Sequence, residues 1–190
     1  MSLVLLGILN SQAAAAGAAG AYDLLETQVL TSNSASVTFT GLGSYTDYKH
    51  LQIRAVAQAN TSGTNILNLN VNLNSDTGFN YAVHRIYGGS STVQSAANTS
   101  RDSLIVWRAC TRNADGYAPS VTDILDFSNT NKYTTIRGIA GGYASSEKTV
   151  ALSSGVWMNT SAVTSISFTN NGAVDLTAGS RFSLYGIKGA

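Results

Sequence analysis

Acid, base and metal-ligating side chains are few in this chain. It has two histidines, His50 and His84, two glutamates, Glu26 and Glu147, eight aspartates and one cysteine, Cys110. Nucleophilic hydrolysis needs a serine on a strained turn such as G-x-S-x-G, and Gly88-Gly89-Ser90-Ser91 lacks the closing glycine. The two histidines stand 34 residues apart, with no His-Glu-x-x-His and no Cys/His pair, and each falls in a run that reads as a strand. A strand-face histidine hydrogen-bonded to a neighbour accounts for both better than a metal site does. No phosphate-cradling loop is present. Gly41-Leu42-Gly43 continues as Ser44-Tyr45-Thr46, a turn between strands and not a dinucleotide fingerprint, so no cofactor is expected. Glycan hydrolysis would take two carboxylates about 5 Å or about 6.5–9.5 Å apart on one face. Asp123 and Asp126 are the one carboxylate pair within a predicted strand, and at that spacing they point to opposite faces. A depolymerase is therefore the weakest functional reading, and a chain that is not an enzyme is expected.

Binding chemistry is better supplied. Only 11% of the 190 residues are charged, Lys+Arg 11 balances Asp+Glu 10, and Ser, Thr and Asn make up about a third of the chain. Neither nucleic acid nor an anionic lipid surface finds a cationic excess here. Hydroxyls and amides on outward strand faces suit sugar hydroxyls, and tyrosines beside them would complete a glycan platform. Equally, they fill exposed strand positions without any ligand. The segment Arg108 to Tyr117 mixes Arg108, Arg112, Asp115 and Tyr117 in a predicted loop able to read a sugar or a carboxylate. The candidate ligand surface is Tyr81, Tyr87, Arg108, Arg112 and Tyr117, with a host surface glycan as its partner; the plain alternative is a solvated loop. Asn74-Ser75-Asp76-Thr77-Gly78 reads as a hairpin turn and not a calcium loop, because the downstream bidentate Glu is missing. Trp107 and Trp157 read as core.

The elements that would position these residues are strands. In Leu67-Asn68-Leu69-Asn70-Val71-Asn72-Leu73 apolar and amide side chains alternate strictly, which turns the leucines and valine inward. Similar runs occur at 35–40, 50–58, 81–87, 103–109, 121–127, 133–140, 149–158, 163–169 and 182–187, about ten strands in all. Gly, Asn, Ser and Asp clusters divide them, and no stretch after Ala21 has a 3.6-residue period. The expected fold is all-β, a two-sheet jelly-roll-like sandwich over residues 22–190. A single cysteine closes no internal disulfide, so packing alone must hold the core.

Residues 1–21 differ from the rest. Leu3-Val4-Leu5-Leu6-Gly7-Ile8-Leu9 is apolar, and Ala13 to Ala21 is almost entirely alanine and glycine. No Lys or Arg precedes the apolar run, unlike a signal peptide, and the run is too short to span a bilayer. The segment reads as a docking arm, anchored through Leu3, Leu5, Leu6, Ile8 and Leu9, whose side chains lose water on insertion. The competing reading is an extra strand or helix on the chain's own domain.

Four strings carry a resemblance: Tyr22-Asp23-Leu24-Leu25-Glu26-Thr27 leading into Ser36-Val37-Thr38-Phe39, Tyr48 to Arg54, Ser154 to Phe168, and Phe182-Ser183-Leu184-Tyr185-Gly186-Ile187. Over residues 21–190 the chain resembles a family of virion structural proteins of tailed bacteriophages. The resemblance implies a jelly-roll-type module of a tail fibre, baseplate or head decoration on the exterior of the particle. It also implies a homotrimer, held to other virion proteins by the apolar arm. No catalytic residue follows from it. Two settings remain: a tail-fibre or baseplate module for host attachment, or a decoration protein that stabilises the head lattice.

Overall fold

A computed structural model describes residues 21–62, 66–89, 91–111, 116–144 and 147–189. The chain folds as two antiparallel sheets. Among the described residues twelve strands run in order β1 (Tyr22–Val29), β2 (Ser36–Phe39), β3 (His50–Ala59), β4 (Ile66–Leu73), β5 (Tyr81–Gly89), β6 (Thr92–Arg101), β7 (Leu104–Thr111), β8 (Ala118–Leu125), β9 (Thr134–Ala144), β10 (Glu147–Trp157), β11 (Ile166–Asn170) and β12 (Arg181–Ile187). The smaller sheet has the order β2-β11-β4-β7, and the larger β1-β12-β3-β8-β9-β10-β5-β6. A short parallel pairing of the end of β3 with β7, Gln58 opposite Cys110, joins them. The chain crosses between the sheets at most connections, the exceptions being the β5–β6, β8–β9 and β9–β10 hairpins of the larger sheet, which produces the expected jelly-roll-like sandwich.

The core lies where the smaller sheet covers one end of the larger. Val37 and Phe39 of β2, Leu69, Val71 and Leu73 of β4, and Ile166 and Phe168 of β11 are buried against Leu51, Ile53, Phe182 and Leu184. Phe168 stacks on Phe182 across the sandwich, ring centroids 5.4 Å apart, and meets Phe39 edge-on at 6.3 Å. The alternation of β4 holds from Leu69 to Leu73; before the register shift at Leu69/Asn70, Ile66 is buried and Leu67, expected inward, is only partly so. Trp157 is buried, as its apolar run required, and stacks on Tyr81 with centroids 6.5 Å apart.

Three details depart from the sequence reading. Strands β1 and β6 were not among the ten expected, and they form the two edges of the larger sheet. The Asn74–Gly78 segment is not a hairpin: β4 belongs to the smaller sheet and β5 to the larger, so the turn is a corner between sheets. Asn74 and Ser75 take φ of 51° and 57° there, a left-handed conformation rare outside glycine and best tolerated by asparagine. Asn74 Oδ1 secures the bend by accepting the backbone N–H of Thr164 at 2.7 Å and of Ser165 at 3.1 Å. The Gly41–Gly43 turn is as expected, with Gly41 left-handed at φ 68° before a 3-10 turn over Leu42–Ser44.

One glycine is fixed by a close approach. A Cβ on Gly186 would sit 2.4 Å from Cδ1 of Tyr48, whose hydroxyl donates to Asp23 Oδ2 at 3.0 Å and so anchors the ring against β12. Gly186→Ala is expected to cost about 1–3 kcal/mol by overpacking. Thermal denaturation in parallel with Gly88→Ala, where a Cβ meets nothing within 4 Å, checks this. Equal melting of the two variants refutes the packing argument.

Candidate functional site

Alternation along β5 points Tyr81, Val83, Arg85 and Tyr87 to the inner face of the larger sheet. The first two lie under the smaller sheet and the last two at its margin. Tyr81 is therefore corrected from ligand surface to core. It is fully buried, and its hydroxyl accepts the Leu73 N–H at 3.1 Å and donates to Asp76 O at 3.0 Å. Burial pushes its phenol up to about 12. Tyr87 stays half-buried and donates to Gln94 Oε1, directly opposite on β6, at 2.6 Å.

Arg108 reaches the same place from β7 and lies in that strand, not in the loop that the sequence suggested. It is only 8% exposed and donates to Asn68 Oδ1 at 3.0 Å. Its guanidinium carbon lies 5.5 Å from the Tyr87 ring centroid, and that of Arg85 lies 5.8 Å from the same centroid. Burial first, and the neighbouring Arg108 second, lower the Arg85 pKa from its ordinary value. The structure thus unites Tyr87 and Arg108 and adds Arg85 and Gln94, which sequence reasoning missed. The one available signal was the shared parity of Arg85 and Tyr87. Tyr117 stands apart. It is exposed, donates to Ala178 O at 2.9 Å and borders a shallow basin of about 650 Å³ with Tyr143, Lys148, Gly88 and Gly142. Arg112 and the arm residues Leu3, Leu5, Leu6, Ile8 and Leu9 lie outside the described residues.

The outer face of the larger sheet carries the second feature. Cross-strand pairing aligns Val121 of β8 with Ile139 of β9, Ile139 with Leu152 of β10, and Leu152 with Ile86 of β5. In the next row Val150 stands between Gly141 and Gly88. Ile139, Leu152, Ile86 and Val150 are 53%, 58%, 57% and 63% exposed. On the inner face of the same strands Ser120, Thr122, Thr149 and Ser153 are buried. These hydroxyls lie inside among Ile124, Ile136, Ala140 and Ala151, while four aliphatic side chains of the same strands and of β5 face solvent. Strands about 4.8 Å apart make this ladder roughly 15 Å wide, a contiguous patch of the kind that marks an interaction surface. Asp123 and Arg137, paired at 3.0 Å, close one side of it.

The carboxylates are committed elsewhere. Asp123 also accepts Gln52 Nε2 at 2.8 Å. Asp126 is ion-paired with Lys132 and with Lys49 at 3.4 Å, and the Lys132 ammonium above all holds its carboxyl below the ordinary range. Asp126 lies just past β8, and its backbone N–H donates to His50 Nδ1 at 2.9 Å, the strand-neighbour role expected for that histidine. No group of three or more His, Cys, Asp or Glu that could hold a metal occurs among the described residues. Nor is any helix among them long and apolar enough to cross a membrane.

No family model and no curated protein matches the chain. Among solved structures, the chain is similar to the Ruminococcus gnavus IT-sialidase CBM40, in a structure bound to alpha2,3 sialyllactose, at 13% identity and a TM-score of 0.37. A second structure of that CBM40 matches at 10% identity and a TM-score of 0.35. Each match covers 88% of this chain and 95% of the other.

Proposed function

We propose that this chain is a non-enzymatic structural subunit of a bacteriophage particle, a tail-fibre or baseplate-type module on the virion exterior. Residues 1–21 attach it to other virion proteins, it assembles as a homotrimer, and it meets host surface glycan. The observation that carries the assembly is the aliphatic ladder. Ile139, Leu152, Ile86 and Val150 stay in water in the single chain although hydroxyls such as Thr122 and Ser153 lie on the covered face. A second copy is the occupant that fits: the ladder carries no charge, the chain is nearly neutral, and the flanking Asp123–Arg137 pair is already internally matched. A strongly charged partner would find no complement on it. Three ladders facing a common axis exclude water from all three at once.

The particle tests the setting. Quantitative mass spectrometry of purified virions against the major capsid protein is expected to find the chain at a few to a few tens of copies. Hundreds of copies would move it to the head lattice as a decoration protein, and its absence from particles would overturn the virion reading.

A further inference from the structure

The Arg85–Tyr87–Arg108 cluster is half-open. Tyr81 and Val83, earlier on the same face of β5, are buried, whereas β6 beside Arg85 and Tyr87 is exposed along nearly its whole length. The inner face of β5 and β6 thus continues as a ledge past the margin of the smaller sheet. Among the described residues Arg85 has the Tyr87 ring as its contact and no carboxylate in an ion pair. Burial and the neighbouring Arg108, with Arg101 behind, make its charge costlier than in water. A partly desolvated cation held beside other cations is unfavourable alone and is relieved by an anion.

The ledge around it offers amides. Gln94 Oε1 takes the Tyr87 hydroxyl, which leaves the Gln94 Nε2 to donate. Asn98, opposite Val83, spends its Oδ1 on the Ser100 N–H at 3.1 Å and keeps its Nδ2. Between them Ala96 stands opposite Arg85 and adds only a methyl group, so the guanidinium is approachable from the β6 side. A planar guanidinium matches a carboxylate or phosphate through paired N–H donors, and amides match ring hydroxyls. Nucleic acid is disfavoured, because a chain of net charge +1 offers one such point and no track of them.

We propose that the β5–β6 ledge binds an anionic glycan, its oxyanion held by Arg85 beside Arg108 and its hydroxyls by Gln94 and Asn98. The site rests on the host-glycan reading for its biological role, and its chemistry stands apart from where the chain sits on the particle.

Calorimetric titration of the full chain tests it, with trigalacturonate, mannose 6-phosphate and neutral maltotriose as probes. At least one acidic probe is expected to bind ten-fold or more tighter than maltotriose, and to weaken as NaCl rises from about 50 to about 500 mM. Trigalacturonate alone would identify a carboxylate ligand, and mannose 6-phosphate alone a phosphate. Arg85→Gln should lose at least ten-fold in affinity, Arg85→Lys less, and the exposed Gln94→Ala about three-fold, so the result does not depend on one variant's folding. Failure of both acidic probes, equal binding of maltotriose, or full affinity in both Arg85→Gln and Gln94→Ala would overturn the site. Particles carrying Arg85→Gln separate the two readings. Lost probe binding with normal adsorption to cells keeps the site and removes its role in attachment.

Discussion

Leu152→Lys is expected to convert a trimer into a monomer of 19.8 kDa by sedimentation equilibrium, and Ile139→Glu to do the same. Both side chains are more than half exposed in the single chain, so neither substitution opens a cavity or buries a charge within the subunit. Stability of the monomer should change by about 0.5 kcal/mol at most. In the trimer the same lysine would be stripped of water against two copies of an aliphatic face. An unpaired charge there costs several kcal/mol, more than a modest interface can supply. Phe79→Ser is the control: Phe79 is exposed at the corner between sheets, away from the ladder, and its loss should leave the mass unchanged. A wild-type chain that sediments as a monomer at about 100 μM sinks the assembly, and a trimer in Leu152→Lys moves it to another face.

The period of two was sufficient to place most strands, because inward positions such as Leu69, Val71, Ile53 and Leu184 really are covered. It failed where coverage is not local information. Thr92 to Arg101 has no buried face, hence no alternation, and β6 went unseen. In β9 and β10 alternation gives the parity of Ile139, Val150 and Leu152 but not which parity is covered. Apolar residues occupy both parities there, Ile136, Ala140, Ala151 and Trp157 on the covered one beside Thr149 and Ser153, and Ile139, Val150 and Leu152 on the other, so the rule that apolar residues turn inward chooses neither side. Tyr81 and Tyr87 share one strand and one face, and only the extent of the smaller sheet makes the first a core residue and the second part of a site. An arginine in a strand reads as solvated; Arg85 stands out only once Arg108 arrives from β7.

The second large effect is expected at the corner that joins the sheets. Asp76 Oδ2 accepts the Trp157 Nε1–H at 2.7 Å, Asp76 Oδ1 accepts the Gly78 N–H at 2.8 Å, and the Asn80 amide reaches both oxygens at 3.2 and 3.0 Å. Burial by itself would raise this carboxyl. The Trp157, Asn80 and Gly78 donors outweigh it and lower the pKa below 3.8. A carboxyl depressed on folding contributes stability that is present above the unfolded value of 3.8 and is lost as pH falls through the lower folded value. Asp76→Asn should therefore cost about 1.5 kcal/mol in urea unfolding at pH 7 and less at pH 2.5, because the stability that the depressed carboxyl contributes shrinks once pH is below the unfolded 3.8. Trp157→Ala removes a fully buried ring stacked on Tyr81 as well as the donor, and should cost about 3–5 kcal/mol at both pH values. The contrast separates charge from packing. An Asp76→Asn penalty that is the same at pH 7 and pH 2.5 would show that the carboxylate's charge contributes nothing, and that the corner is held by shape alone.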